Sequence, residues 1–250
     1  MGSLATYFDV SGNAEDSANA YAVAGFGSSD SKWRAFEQAW PAVLQRAGIP
    51  ALHMTDVANK KKRGFRHITT QIYGELMLSL YQLLQEHAWI SIVRVIEGLD
   101  LIALASAGKE PLAIAGCSAI EAAAKWNDRR NRRKRRADSL EVIFHHGESG
   151  RGTLLKSISP SFPVPSFRAH TEALPLQAAD WLAWEMARLN LLHRKHRGHG
   201  GQKIVAVRGT VAAAIRHFPR DWKYYHDGDW IDIVGSKRID LSKGNDSVPT

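Results

Sequence analysis

Residues 7–13 read YFDVSGN, and the stretch around them decides the fold. The apolar run Leu4-Ala-Thr-Tyr-Phe8 has strand character, and it meets an acid, Asp9, just before Ser11-Gly12-Asn13 ends it. Asp9 has two readings. A short carboxylate opens turns by accepting nearby backbone N–H groups. Alternatively, it is a ligand at a strand end. Residues 20–27, AYAVAGFG, form a second strand, and the Gly, Asn, Asp and Ser content of the GNAEDSAN segment between them marks a turn, so a hairpin follows.

Further along, the segment DSKWRAFEQAWPAVLQRAG predicts a helix with Asp30 or Ser31 as N-cap, a bend at Pro41 and a stop at Gly48. Residues 49–65 are irregular. Ile68, Ile72, Leu76, Leu80 and Leu84 lie on one stripe of a second helix. WISIVRVIEG is a short β-branched strand ending at Glu97. PLAIAGCSAIEAAAKWNDRRNRRKRR is a long helix, apolar in its first half and basic in its second. LEVIFHHG is a strand running into His145 and His146, and PLQAADWLAWEMARLNLL is a helix with Pro175 in its first turn. Another helix is expected at 203–217. Strands separated by long helices imply parallel pairing through right-handed crossovers. The expected fold class is α/β, a mixed sheet with one antiparallel edge and helices on both faces. One domain is expected over 1–235, with a disordered polar tail at 236–250.

The net charge is +8, and RRNRRKRR (129–136) places seven basic residues in eight. Without them the rest of the chain is within one charge of neutral. So localised a charge suits a polyanion such as nucleic acid, with Arg129, Arg130, Arg132, Arg133, Lys134, Arg135 and Arg136 as phosphate contacts; a solvated helix face is the competing reading. Smaller basic runs are KKKR (60–63) and HRKHRGH (193–199). No apolar run is long enough for a membrane span. The opening MGSLATYFD has no signal-like pattern, and the single cysteine, Cys117, fits a reducing cytoplasm. Cys117 reads as a small core residue, as do Trp33, Trp40, Trp181 and Trp184 at helical spacing.

Acids and histidines gather at predicted strand ends: Asp9, Glu97, and His145, His146 and Glu148 in HHGE. In open sheets with helical crossovers, that edge is where ligand sites form. Asp180 lies on or beside the apolar face of its helix, with Leu176, Gln177, Ala183 and Trp184 as neighbours. A carboxylate there needs a partner: an arginine, a hydrogen bond or a metal. Several carboxylates at one edge are tolerable when a hard divalent ion such as Mg²⁺ or Mn²⁺ neutralises them. His53 and Asp56 are further candidates to line the site, though an Asp there also stabilises turns. His193, His196 and His199 interleave with Arg and Lys, which disfavours a cation. Ser11 has no paired His, and Gly25 and Gly27 lack a phosphate-loop pattern.

Two of these motifs carry a resemblance. YFDVSGN resembles the opening YxDESG of the family called domain of unknown function 3800, and PLQAADWLAWE resembles its closing helix motif QxADxxA. LHMTD (52–56), VIEG and VIFHHGESGRG follow in the family's order, over residues 5–190. The family is similar to the ribonuclease H-like superfamily. The resemblance implies that fold and a two-ion site fed by acids from the first strand, a later strand and a final helix. It also implies a nuclease or related phosphoryl-transfer activity on nucleic acid, in the setting of mobile elements or phage defence. Asp9 matches the first-strand acid and Asp180 the helix acid, with Glu97 and Glu148 as candidate catalytic and metal-binding acids and His145 as a further metal ligand. The chain departs from the family at Val10, where the family has Glu, and at His145, where it often has Glu. A non-catalytic nucleic-acid-binding or assembly protein on the same scaffold is the alternative.

Overall fold

The computed structural model describes residues 2–12, 20–59, 63–135, 137–197, 220–226 and 229–232. Its strands are β1 (Ser3–Ser11), β2 (Tyr21–Ser29), β3 (Ile90–Ile96), β4 (Ser139–His145), β5 (Ser166–Arg168), β6 (Arg220–His226) and β7 (Asp229–Asp232). Its helices are α1 (Asp30–Ala47), α2 (Met54–Asn59), α3 (Thr70–His87), α4 (Gly98–Ser106), α5 (Pro111–Lys134), α6 (Arg151–Ser157) and α7 (Pro175–Arg197), with a 3₁₀ turn at Arg63–Phe65. No described helix is long and apolar enough to cross a membrane.

The strands form one mixed sheet in the order β5-β4-β1-β2-β3-β6-β7. The expected α/β architecture holds, but the antiparallel pairing is not confined to an edge. β2 runs antiparallel between β1 and β3 in the middle of the sheet, and β6 and β7 form a second antiparallel pair at one end. The hairpin is central because β1 also pairs in parallel with β4, and β3 with β6. Central strands are covered on both faces, which explains why YAVAGFG is buried almost throughout.

Two apolar layers enclose the sheet. Ala5 and Tyr7 of β1, Val93 and Val95 of β3 and Ile143 of β4 pack under α1, α3 and α7. Phe8, Ile92, Ile96, Val142 and Phe144 pack on the opposite face, with α4, α5 and α6. This alternation follows the two-residue period of a strand. It fixes which face every strand-end side chain takes.

Several boundaries differ from expectation. Ser29 caps α1, its Oγ accepting from the Lys32 N–H at 3.4 Å, one residue before the expected caps. Pro41 lies within α1. The long basic helix stops at Lys134, with Arg135 in the left-handed region at φ 48°. Trp33, Trp40 and Trp181 are core, whereas Trp184 is only half-buried. Cys117 is half-buried against the α5 layer, and burial pushes its thiol up. The expected helix at 203–217, the tail at 236–250, Arg136 and Lys60–Lys62 lie outside the described residues.

Gly25 shows how tightly the hairpin closes. It stands opposite Phe8, and a Cβ there would meet the Tyr7 carbonyl oxygen and the Phe8 ring. We expect Gly25→Ala to destabilise the protein by about 1–3 kcal/mol, the usual range for overpacking. Chemical denaturation checks this; an unchanged midpoint would mean that the hairpin can open to admit a methyl group.

Candidate metal centre

The site is assembled by register. β1 and β4 are parallel with Phe8 opposite Phe144, so Asp9 and His145 come level one step later. Both continue the face occupied by Tyr7 and Ile143, which is the face that α7 covers. His145 pairs with Arg168 at the end of β5, and His170 follows two residues on. Asp180 projects from α7, which packs across β1 and β2.

Gln177, one turn before Asp180, locks these pieces together. Its side-chain oxygen accepts from Trp40 Nε1 at 3.0 Å and from the Leu52 N–H at 2.8 Å, and its Nε2 donates to the His170 carbonyl at 3.1 Å. It is 1 % exposed, so losing any of these bonds would strand a buried polar group.

Asp9 is the centre of the cluster and only 2 % exposed. Its Oδ2 lies 2.8 Å from His170 Nε2, and its Oδ1 lies 3.6 Å from His145 Nδ1 and accepts from the Val10 N–H at 2.9 Å. The two imidazoles stack, with centroids 4.0 Å apart and planes 1° from parallel. Glu148 Oε1 sits 3.5 Å from the same His145 Nδ1. Donor atoms of Asp9, His145 and His170 all lie within 4.8 Å of one another, a spacing one metal ion could bridge. Asp180, 5 % exposed, accepts from the Met54 N–H at 2.7 Å. His53 lies beside His170, ring centroids 5.8 Å apart, with its Nδ1 3.2 Å from Asp56 Oδ2.

Electrostatics follow from burial. Asp9 is pushed up to about 8, first by burial and then by Glu148, against His145, the Val10 N–H and His53. Asp180 rises to about 7 through burial and then the Asp9 charge, opposed first by the Met54 N–H. His170 is pushed down to about 4 by burial and then by His145. His145 is raised, first by its hydrogen bond to Glu148. Burial therefore favours the neutral forms of both Asp9 and His170 over an ion pair between them.

Of the residues expected at the site, Asp9, His145, Glu148 and Asp180 are brought together. Glu97 is not. Val93 stands level with Asp9 through Ala24, and Glu97 is four residues further on and two strands across. That is about 13 Å along the strands and about 10 Å across them. Val10 points away: it packs in the α5 layer, on the sheet face opposite Asp9. An acid at this position would therefore face away from the cluster.

The basic run lies at the other edge of the sheet. Asn131, near the end of α5, bonds Asp138 in both directions, and Asp138 accepts from the Gly2 N–H at 2.7 Å, just before β1. From there to Asp9 is most of β1, about 20 Å. Arg129, Arg132, Arg133, Lys134 and Arg135 are exposed, whereas Arg130 is half-buried with its guanidinium 3.8 Å over the Trp89 ring.

His170 was not legible in the sequence. Its strand, β5, has three residues, too few to show a period, so no strand end marks it. The structural role of Gln177 was equally hidden. No known protein-family model and no curated protein matches the chain.

The pKa shifts set the pH dependence of the ion-free protein. Raised Asp9, Asp180 and His145 hold protons that the unfolded chain has released, so their contribution to stability is lost as pH rises through their folded values. Lowered His170 acts oppositely, but only below its ordinary value of 6.5. We expect melting temperature in a chelator to fall between pH 6.5 and 8. Asp9→Asn should flatten that slope and raise the melting temperature at the alkaline end. An unchanged slope in Asp9→Asn would locate its source elsewhere.

Proposed function

We propose that the chain is a divalent-metal-dependent nuclease, or a related phosphoryl-transfer enzyme acting on nucleic acid, built on a ribonuclease H-like scaffold akin to the domain of unknown function 3800 family. One observation carries this reading: a first-strand carboxylate, Asp9, buried against two imidazoles, with a buried helix carboxylate, Asp180, close enough for the Asp9 charge to raise it. First-strand and final-helix acids are what the family resemblance calls for.

The donor set fits a divalent ion. Asp9, His145 and His170 would hold it, and Glu148, at the same His145 nitrogen, would add a carboxylate oxygen. Two imidazoles favour Mn²⁺ or another first-row ion over Mg²⁺, which prefers an all-oxygen shell. Such an ion supplies an activated water and neutralises charge on a phosphodiester. Around it, Gln177 fixes the His170 backbone. His53, with Nδ1 facing Asp56, stands beside the centre as a proton carrier. The basic end of α5 is a separate anchoring surface for the phosphate backbone, remote from the reacting centre.

A second reading has its own observation. Asp9 and His170 satisfy each other without an ion, and Asp180 is engaged by Met54, as a structural polar network would be. That would suit a non-catalytic nucleic-acid-binding or assembly protein.

Titration with Mn²⁺, followed by cleavage assays on labelled DNA and RNA, separates the two. The nuclease reading expects His170→Ala and Asp9→Asn each to lose about ten- to a hundredfold or more in activity, at least what loss of a group supporting a metal site costs, with a chelator abolishing the rest. Cleavage at full rate in either variant would overturn it. Uptake of Mn²⁺ with no cleavage of either polymer would favour the second reading.

The anchoring surface makes a distinct prediction. Replacing Arg132, Arg133, Lys134 and Arg135 with Gln should reduce the slope of log affinity against log salt by roughly one for each phosphate that the variant no longer binds. Cleavage of a substrate too short to reach that edge should be unchanged. An unaltered salt slope would assign the run to solvent or to a protein partner.

A further inference from the structure

Beside the metal centre, a groove of about 490 Å³ runs between α2, the start of α3 and α7. Its walls are Met54, Val57 and Ile68, apolar and buried; its flat surfaces are Tyr73 and Trp184; its charge is Arg188. We infer that this groove receives one unpaired base, with its adjoining phosphate, of a single-stranded nucleic acid whose backbone passes the metal centre. The inference rests on the function proposed above and adds the form of the substrate.

Three features of the groove point to this occupant. The first is continuity. Met54 gives its backbone N–H to Asp180 and its side chain to the groove, so one residue forms the partition between the two sites. On α7, Asp180, Trp184 and Arg188 follow at four-residue spacing, one above another on a helix face. A strand leaving Asp180 along α7 therefore meets an aromatic ring and then a cation. The second is surface chemistry. Bases stack on aromatic rings and on guanidinium planes whatever their sequence. The Arg188 guanidinium lies 5.0 Å over the Trp184 ring, and the Tyr73 hydroxyl donates to buried Glu185 at 3.2 Å, which anchors that ring. The third is size. A groove of this volume admits a splayed base but not a duplex, whose bases are stacked inside. An apolar peptide would use Met54, Val57 and Ile68 but would give no role to a cation set over an indole.

Gly74 supplies a clean test. It lines the groove on α3, and a Cβ there meets nothing within 4 Å. Gly74→Leu would fill the groove while improving helix propensity, so the fold should not suffer. Binding of a short fluorescent single strand is measured by anisotropy in a chelator, against the same strand with abasic positions. The wild-type protein should prefer the base-bearing strand by about tenfold, within the range of one stacked base. Gly74→Leu should abolish that preference, with melting temperature and Mn²⁺ uptake unchanged, and Arg188→Gln should weaken binding of both strands. Equal binding of both strands by the wild type, or a preference that survives Gly74→Leu, would overturn the inference and leave the groove to a peptide or lipid. A base preference without any Mn²⁺-dependent cleavage would sink the catalytic reading and support the groove.

Discussion

A carboxyl group removed almost wholly from water is the constraint on which the centre depends. Asp9 sits mid-sheet with strands on both sides and α7 above it, so no solvent can hold its charge. Burying a lone carboxylate is costly, and proteins answer by pairing, metal coordination or protonation. Each answer is prepared here. The Val10 N–H and two imidazoles supply partners, and the raised affinity for a proton keeps the group neutral when nothing else does. A divalent ion would compete for the place of that proton, which couples ion uptake to proton release.

The parts of this centre that could be read in the sequence share one property: each belongs to a long periodic element. Asp9 closes the apolar run of a nine-residue strand, His145 ends one of seven, and Asp180 sits in a helix whose apolar neighbours announce its burial. Glu97 has the same local signature as Asp9, yet lies well apart, because a strand end says nothing about where that strand stands in the sheet. The difference between them is the order β4-β1-β2-β3, a long-range fact set by pairing. His170 fails in the opposite way. It belongs to the cluster, but the three residues of β5 that precede it owe their conformation to β4 and carry no pattern of their own.

Face alternation likewise separates the roles of Val10 and His145. Val10 lies on the side of the sheet that α5 covers, where a valine completes an apolar layer. His145 lies on the side that α7 covers, where its imidazole is among the donor atoms that could hold an ion and would tilt their preference among ions. The charge of the chain is divided in the same manner. The acids and histidines of the candidate centre collect at the carboxyl ends of β1 and β4, and the arginines of α5 beyond the amino end of β1, with the length of a strand between them.

The three hydrogen bonds of Gln177 have a consequence for how the protein breathes. A single amide holds α1 through Trp40, the segment before α2 through Leu52 and the peptide of His170. These segments are remote in sequence, and the last two would otherwise open on their own as short irregular stretches. Sharing one buried partner, they form a cooperative unit of the kind seen in native-state hydrogen exchange. The Leu52 amide thereby becomes a reporter: its exchange rate should track the opening of the segment that carries His170, although Leu52 itself is no candidate ligand.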